Sequence, residues 1–222
     1  PYVFNETGLL PALSMSLAGK DGPLREFAMP YTVENVSDAS ITYVLTTPEG
    51  LKIRRKYTLS DGAEGHDPYV IRHQTEFENA SATPKALSTI FNLGTSRPIS
   101  ENSQPNYLNV GYFDGDDAEF TDIRKLNGGK GVLGIGASAP KDAIEMDADI
   151  QWSSVKNQFF AAVLSSEQQA KHLQVYPVAP SVNKISGEPN LKGITGSVGY
   201  DLGLVNAGDT QALAFDFYVG PK

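Results

Sequence analysis

Cysteine is absent from the 222 residues, tryptophan occurs once, and histidine three times. Without Cys there is neither a disulfide framework nor a thiolate metal site. No stretch approaches the ~18 consecutive apolar residues of a membrane helix, and no charged, apolar, small-residue leader opens the chain. Basic residues never gather beyond Lys52 to Lys56 (KIRRK), and the formal net charge is −8. That balance argues against nucleic acid as a partner, and against anionic lipid as a main one. Helical periodicity is scarce. Short helical turns are expected only near residues 100–104, 116–124 and 166–170.

What the chain does contain is alternation. Hydrophobic residues make up 40% and charged residues 20%, a globular balance, and a chain of this length buries roughly 70% of its unfolded surface. Ile41, Tyr43 and Leu45 alternate with Thr42 and Thr46. After the turn Pro48-Glu49-Gly50, Leu51, Ile53, Tyr57 and Leu59 alternate with Lys52, Arg54 and Lys56. This is the pattern of an antiparallel hairpin with cations on its wet face. Tyr69, Ile71, His73, Thr75 and Phe77 share one face of the next strand, and residues 87–93 form another. Residues 94–130, rich in Asn, Ser, Asp and Gly, are expected to wrap a sheet as a long excursion, and 131–138 to form a short strand or loop. Strands return at 150–156, 158–165, 171–178, 193–201 and 211–219. No fixed-period repeat and no low-complexity linker interrupts the chain, so residues 1–222 are expected to be a single domain. So many strands in one sheet curl or split, which predicts an all-β fold of two packed, mainly antiparallel sheets with few short helices.

Chemical motifs are weak. Gly129-Lys130-Gly131-Val132-Leu133-Gly134 matches a dinucleotide fingerprint, but it is flanked by Gly136, Ser138 and Pro140 rather than by a helix. Asp114-Gly115-Asp116-Asp117 with Glu119 lacks calcium-loop spacing. It is expected to be a solvated acidic loop, as are Asp142, Glu145, Asp147 and Asp149. His66, His73 and His172 show no zinc spacing, and no G-x-S-x-G marks a serine nucleophile. Asn5, Asn35 and Asn79 open chance glycosylation sequons. The expected catalytic, cofactor and metal sets are therefore empty. Trp152, Phe159 and Phe160 lie in the most apolar run of the chain, 150–164. They are expected to pack in the core, on a central strand covered on both faces; the other possibility is that one face lines a cleft.

Two segments resemble a known family. Trp152 followed by Lys156-Asn157-Gln158-Phe159-Phe160, and the strand end Val219-Gly220-Pro221-Lys222, are similar to the large periplasmic domain of YidC-family membrane protein insertases; Gly19 to Pro23 (GKDGP) is also similar to a loop there. The resemblance implies a β-supersandwich akin to galactose mutarotase. It makes Trp152, Phe159, Phe160, Gly220 and Pro221 structural signature positions. It further implies that the chain is a fragment of a membrane-anchored parent in the bacterial inner membrane, and that the domain lies on the periplasmic side. On that view it is a non-enzymatic accessory to membrane-protein insertion and folding. Its expected partners are Sec translocon components of the SecD–SecF type and nascent membrane proteins, and the isolated domain is a monomer without cofactor. The mutarotase likeness keeps one alternative open, a carbohydrate-binding or sugar-epimerising protein. Such an enzyme needs a His and a carboxylate in one pocket. His73, His172 and Glu76 are candidates, but alternation turns Glu76 away from His73.

Overall fold

The sequence alternation is realised as β-structure throughout. The computed structural model describes residues 11–17, 29–60, 67–98, 104–129, 138–179 and 192–222. Among these the strands are β1 (Met15–Ser16), β2 (Thr32–Val36), β3 (Ser40–Thr46), β4 (Leu51–Leu59), β5 (Val70–Asn79) and β6 (Lys85–Ser96), followed by β7 (Asn109–Phe113), β8 (Ala118–Asp122), β9 (Ile144–Lys156), β10 (Phe160–Val178), β11 (Gly193–Val205) and β12 (Thr210–Pro221). A 3-10 turn at Pro105–Tyr107 and a single-turn helix, α1 (Ile123–Asn127), complete the described elements. None of the described helices is long and apolar enough to cross a membrane.

β10 runs through both layers. Its first half, from Phe160 to Ser165, pairs with β12, and its second half, from His172 to Val178, pairs with β11. β9 follows it along both halves. One layer therefore reads β8-β7-β9-β10-β12-β5-β4-β3-β2, and the other β9-β10-β11-β6-β1, with every pairing antiparallel. The two layers are the halves of one continuous ladder, folded over where the β9–β10 register shifts between Ser165 and Ala170. The β-supersandwich is thus present. The residues expected to turn at 166–170 instead form the irregular middle of one long strand, because both flanking runs are hydrogen-bonded to the same partner, β9.

The middle segment also departs from expectation. Residues 109–122 are a hairpin, β7–β8, added to the first layer through β9, with Val110 and Tyr112 buried. Asp122 ends β8 and caps α1, accepting the N–H of Arg124 at 2.9 Å, a standard N-cap arrangement. The expected turns at 100–104, the Gly19 to Pro23 run, the Asn5 sequon and Lys130 to Gly134 lie wholly or largely outside the described residues.

The inner faces meet in a core built largely by alternation. Ile53, His73, Phe77, Leu213, Phe215, Phe217, Ala162, Leu164 and Val155 come from one layer, and Leu87, Phe91, Leu93, Leu173, Val175, Val198 and Tyr200 from the other. Phe91 is the joint. Fully buried on β6, it meets Phe215 across the layers at 5.1 Å between ring centroids and His73 at 5.8 Å, both edge-on. Edge-to-face rings of this kind add to the burial term. Phe91→Ala is expected to cost about 3–5 kcal/mol, measured as a shift of the denaturant midpoint at constant m-value. A loss below about 1 kcal/mol would show that Phe91 does not join the two layers.

Candidate functional site

Two groups of residues could carry function: a buried polar cluster between the layers, and an aromatic surface at one end. The buried cluster starts from a residue that alternation hides. Arg55 falls in the inward series Leu51, Ile53, Arg55, Tyr57, so one of the cations of β4 points into the core. It donates from Nη2 to the Leu13 carbonyl at 2.5 Å and lies over the rings of Tyr57, Phe91 and Tyr31, at 5.4, 5.7 and 5.8 Å to their centroids. Three ring faces partly replace the water that a buried guanidinium loses. A search of the chain for basic runs sees Arg55 as one member of KIRRK. Only a residue-by-residue count along the strand shows it as the inward one.

His73 sits beside it, 0% exposed, with Nε2 2.7 Å from the Thr75 hydroxyl and its ring between Tyr57 and Phe215. Burial first, and the Arg55 charge second, hold its pKa well below the ordinary value of 6.5. Glu76 lies on the opposite face of β5 and bonds Gln74. His172 is in the other layer, on β10, where Nδ1 meets the Asp147 carboxylate at 2.7 Å. His73, His172 and Glu76 are therefore not assembled into one pocket. His66 lies outside the described residues. No group of three or more metal-ligating side chains occurs among the described residues. Glu145, Asp147 and Asp149 belong to β9 rather than to a loop, alternating with Ile144, Met146 and Ala148.

The second group is the one the resemblance singled out. Phe159, Phe160, Gly220 and Pro221 come together around the β9–β10 turn and the end of β12, while Trp152 lies four residues before Lys156 on β9. Phe160 is in register with Pro221, and Ala161 with Gly220. Asn157 makes the turn, its side-chain oxygen accepting the N–H groups of Phe159 and Phe160, each at 2.9 Å. This Asx-type turn occupies the residues expected to begin a strand at 158. As a result Phe159 is 52% exposed at the tip and Phe160 39% exposed at the mouth of the hairpin, not in the core. The strand they lead into is central, but the two rings stand at its end, where no second layer covers them.

Trp152 is likewise half-buried rather than core. Between Ile150 and Ser153 the inward series of β9 changes phase, at the register shift against β10, so a count in twos from Ile150 assigns Trp152 to the wrong face. It lies on the outer face, stacked on its cross-strand neighbour Phe113 at 5.9 Å and 16°, with Phe120 at 6.3 Å. Phe120 in turn lies over Gly111, where any Cβ would overlap the ring, and the Lys156 ammonium sits 3.7 Å above the Phe120 ring centroid. Gly220 has the same role on β12: a Cβ there would come within 2.8 Å of both Tyr69 and Tyr218, whose rings are 6.1 Å apart. Both glycines are shielded by aromatic rings that cross the strand, and a side chain at either would push those rings away.

Two measurements follow. Native Trp152 emission should be quenchable by iodide, and Trp152→Ala should cost less than the about 3–5 kcal/mol of a core aromatic; an emission closed to iodide, with a full core-sized loss, would contradict this placement. For His73 the unfolded chain binds a proton near the ordinary value, whereas the folded chain resists it. Stability is therefore complete above about pH 6.5 and declines as pH falls toward the depressed folded value, by up to about 1.4 kcal/mol per pH unit. His73→Gln should flatten that decline between about pH 6.5 and 5; an unchanged slope would mean that His73 does not set it.

The fold has known counterparts. A candidate aldose 1-epimerase from Escherichia coli K12 superposes with a TM-score of 0.54 at 10% identity, covering 86% of this chain and 69% of that one. A galactose mutarotase related enzyme from Lactobacillus acidophilus gives 0.50 at 11% identity, covering 86% and 71%. A galactose mutarotase-like protein from Clostridium acetobutylicum gives 0.50 at 10% identity, covering 86% and 67%. At such identities the likeness is one of fold alone. No match to the sequence was found among curated proteins. The family model described as the YidC periplasmic domain matches residues 13–222. The chain belongs to that family, a membrane-insertase-associated domain on the periplasmic face of an inner-membrane protein.

Proposed function

We propose that residues 1–222 act as one accessory domain of a membrane-anchored insertase, holding partner proteins or substrate segments without transforming them. The observation that carries this reading is the family match over residues 13–222. The partners proposed are those the family resemblance implies, Sec translocon components of the SecD–SecF type and nascent membrane proteins. The sugar-epimerising alternative is weakened by the same residues that suggested it. An acid–base pair must face a substrate, whereas His73 is sealed among rings and separated from His172 and Glu76.

Insertion itself needs apolar spans and intramembrane polar groups, and the described residues contain no such helix. In the parent protein, deletion of most of residues 1–210, with the last strand end and the membrane anchor kept, should leave insertion of simple substrates largely intact while weakening partner recruitment. Protease protection of a small model membrane protein, in cells depleted of the native insertase, reads this out. A deletion variant that reaches normal membrane levels yet inserts nothing would refute the accessory role.

A further inference from the structure

The cations of this acidic protein are unevenly placed. Lys125 and Lys156 both converge on Phe120: Lys125 Nζ donates to its carbonyl at 3.1 Å, and Lys156 caps its ring. Lys222 follows Pro221 at the end of β12, its backbone N–H bonded to the Phe159 carbonyl at 2.9 Å. Two carboxylates of the same segments have partners other than these lysines. Asp122 is held by Arg124 through both of its oxygens, and Asp67 accepts the N–H of Tyr69. None of the three lysines forms an ion pair among the described residues. Burial, and then the Lys222 charge, lower the Lys156 pKa, so these two ammoniums repel one another without a counter-charge between them. The acidic turn at 114–117 is at the other end of the β7–β8 hairpin, since Asn109, not Phe113, is in register with Lys156.

Around these lysines lie Phe120, 40% exposed, and Phe159 at the tip of the β9–β10 turn, with Trp152 about 13 Å further along β9 at 3.3 Å per residue. The aromatic residues stand on a convex hairpin end and an outer sheet face, not in a groove. A groove would suit an extended peptide. A projecting tip with exposed Phe159 and Phe120, beside lysines that form no ion pair among the described residues, matches the interface of a bilayer, where rings sit at headgroup level and ammoniums meet phosphate. The geometry points to a lipid-contact surface: the β9–β10 hairpin end, with Phe159, Phe120, Lys125, Lys156 and Lys222, rests on the headgroup region of an anionic phospholipid bilayer. The formal charge of −8 then acts as an orienting force. It opposes approach through the acidic parts of the surface and favours approach through an end where cations cluster.

This contact goes beyond the accessory role and requires only the family's placement beside a membrane. Its test contains no partner protein, so a negative result would leave the accessory reading to the deletion experiment. The 222-residue protein is sedimented with phosphatidylcholine vesicles, and with vesicles in which part of the lipid is phosphatidylglycerol. The bound fraction should be at least about threefold higher on the anionic vesicles at low ionic strength and should fall as salt is added. Lys156→Glu combined with Lys222→Glu should reduce it to the phosphatidylcholine level, and Phe159→Ser should lower it on both. Lys85→Glu, on β6, should leave it unchanged. Thermal unfolding of each variant establishes that these surface changes leave the fold intact. Equal binding to the two vesicle types would overturn the assignment. So would a Lys85→Glu loss as large as that of the double variant. Capture of an acidic, apolar peptide by the same lysines with no vesicle binding would also overturn it, and would give the surface to a protein partner instead.

Discussion

β10 is the strand on which the architecture depends. It has 19 residues, a length of about 60 Å if fully extended, and it is hydrogen-bonded on one edge to β9 along both halves. On its other edge it gives the first half to β12 and the second to β11. A single ladder cannot bend sharply without losing register, and the shift between Ser165 and Ala170 is where that loss is taken. The consequence is that the two layers are covalently and hydrogen-bond continuous at one corner. Phe91, Phe215 and His73 then fill the angle between them. The same strand also sets the position of the exposed aromatic end, because its first residue, Phe160, stands at the open mouth of a hairpin and is more exposed than the middle of the strand.

The inner face holds more polarity than a β-sandwich core needs. Arg55, His73 and Thr75 lie among Tyr57, Phe91 and Phe215, and each is tied to a neighbour: Arg55 to a carbonyl and three rings, His73 to the Thr75 hydroxyl. Burying a charge is costly unless it is compensated, and here the compensation is aromatic and local. These residues are committed to one another. The outer face at the hairpin end has the opposite character, with rings displayed beside lysines that have no acid of their own. Polar groups are thus enclosed in the core while aromatic groups are displayed on the surface at this end.

Much of the fold was legible in the sequence. The β3–β4 hairpin, the inward series His73, Thr75, Phe77, the strand at 87–93 and the last hairpin follow from alternation, because a half-buried strand needs an apolar residue at every second position. The supersandwich followed from the number of such runs and from the family resemblance. Less legible were the places where alternation breaks. The inward Arg55 was hidden in a basic run, and the phase change in β9 carried Trp152 to the outer face. The Asn157 turn took Phe159 out of the strand and left Phe160 at its exposed first position, and residues 166–170 looked like a connection because their apolar content is low.

The sequence by itself determined which residues alternate two by two along most strands, where turns such as Pro48 to Gly50 fall, and to which family the chain is similar. Those properties are local, fixed by side-chain period, turn chemistry and short motifs. Only the tertiary structure decided which end of the sheet is left uncovered, and that Phe159, Phe160, Gly220 and Pro221 meet there. It also decided that Lys125 and Lys156 converge on Phe120, with Lys222 bonded to the neighbouring Phe159, in a chain of net negative charge. These depend on register and on a single strand passing between layers. A shift of one residue in a β-ladder exchanges the two faces, and no local pattern in the sequence records where that shift occurs.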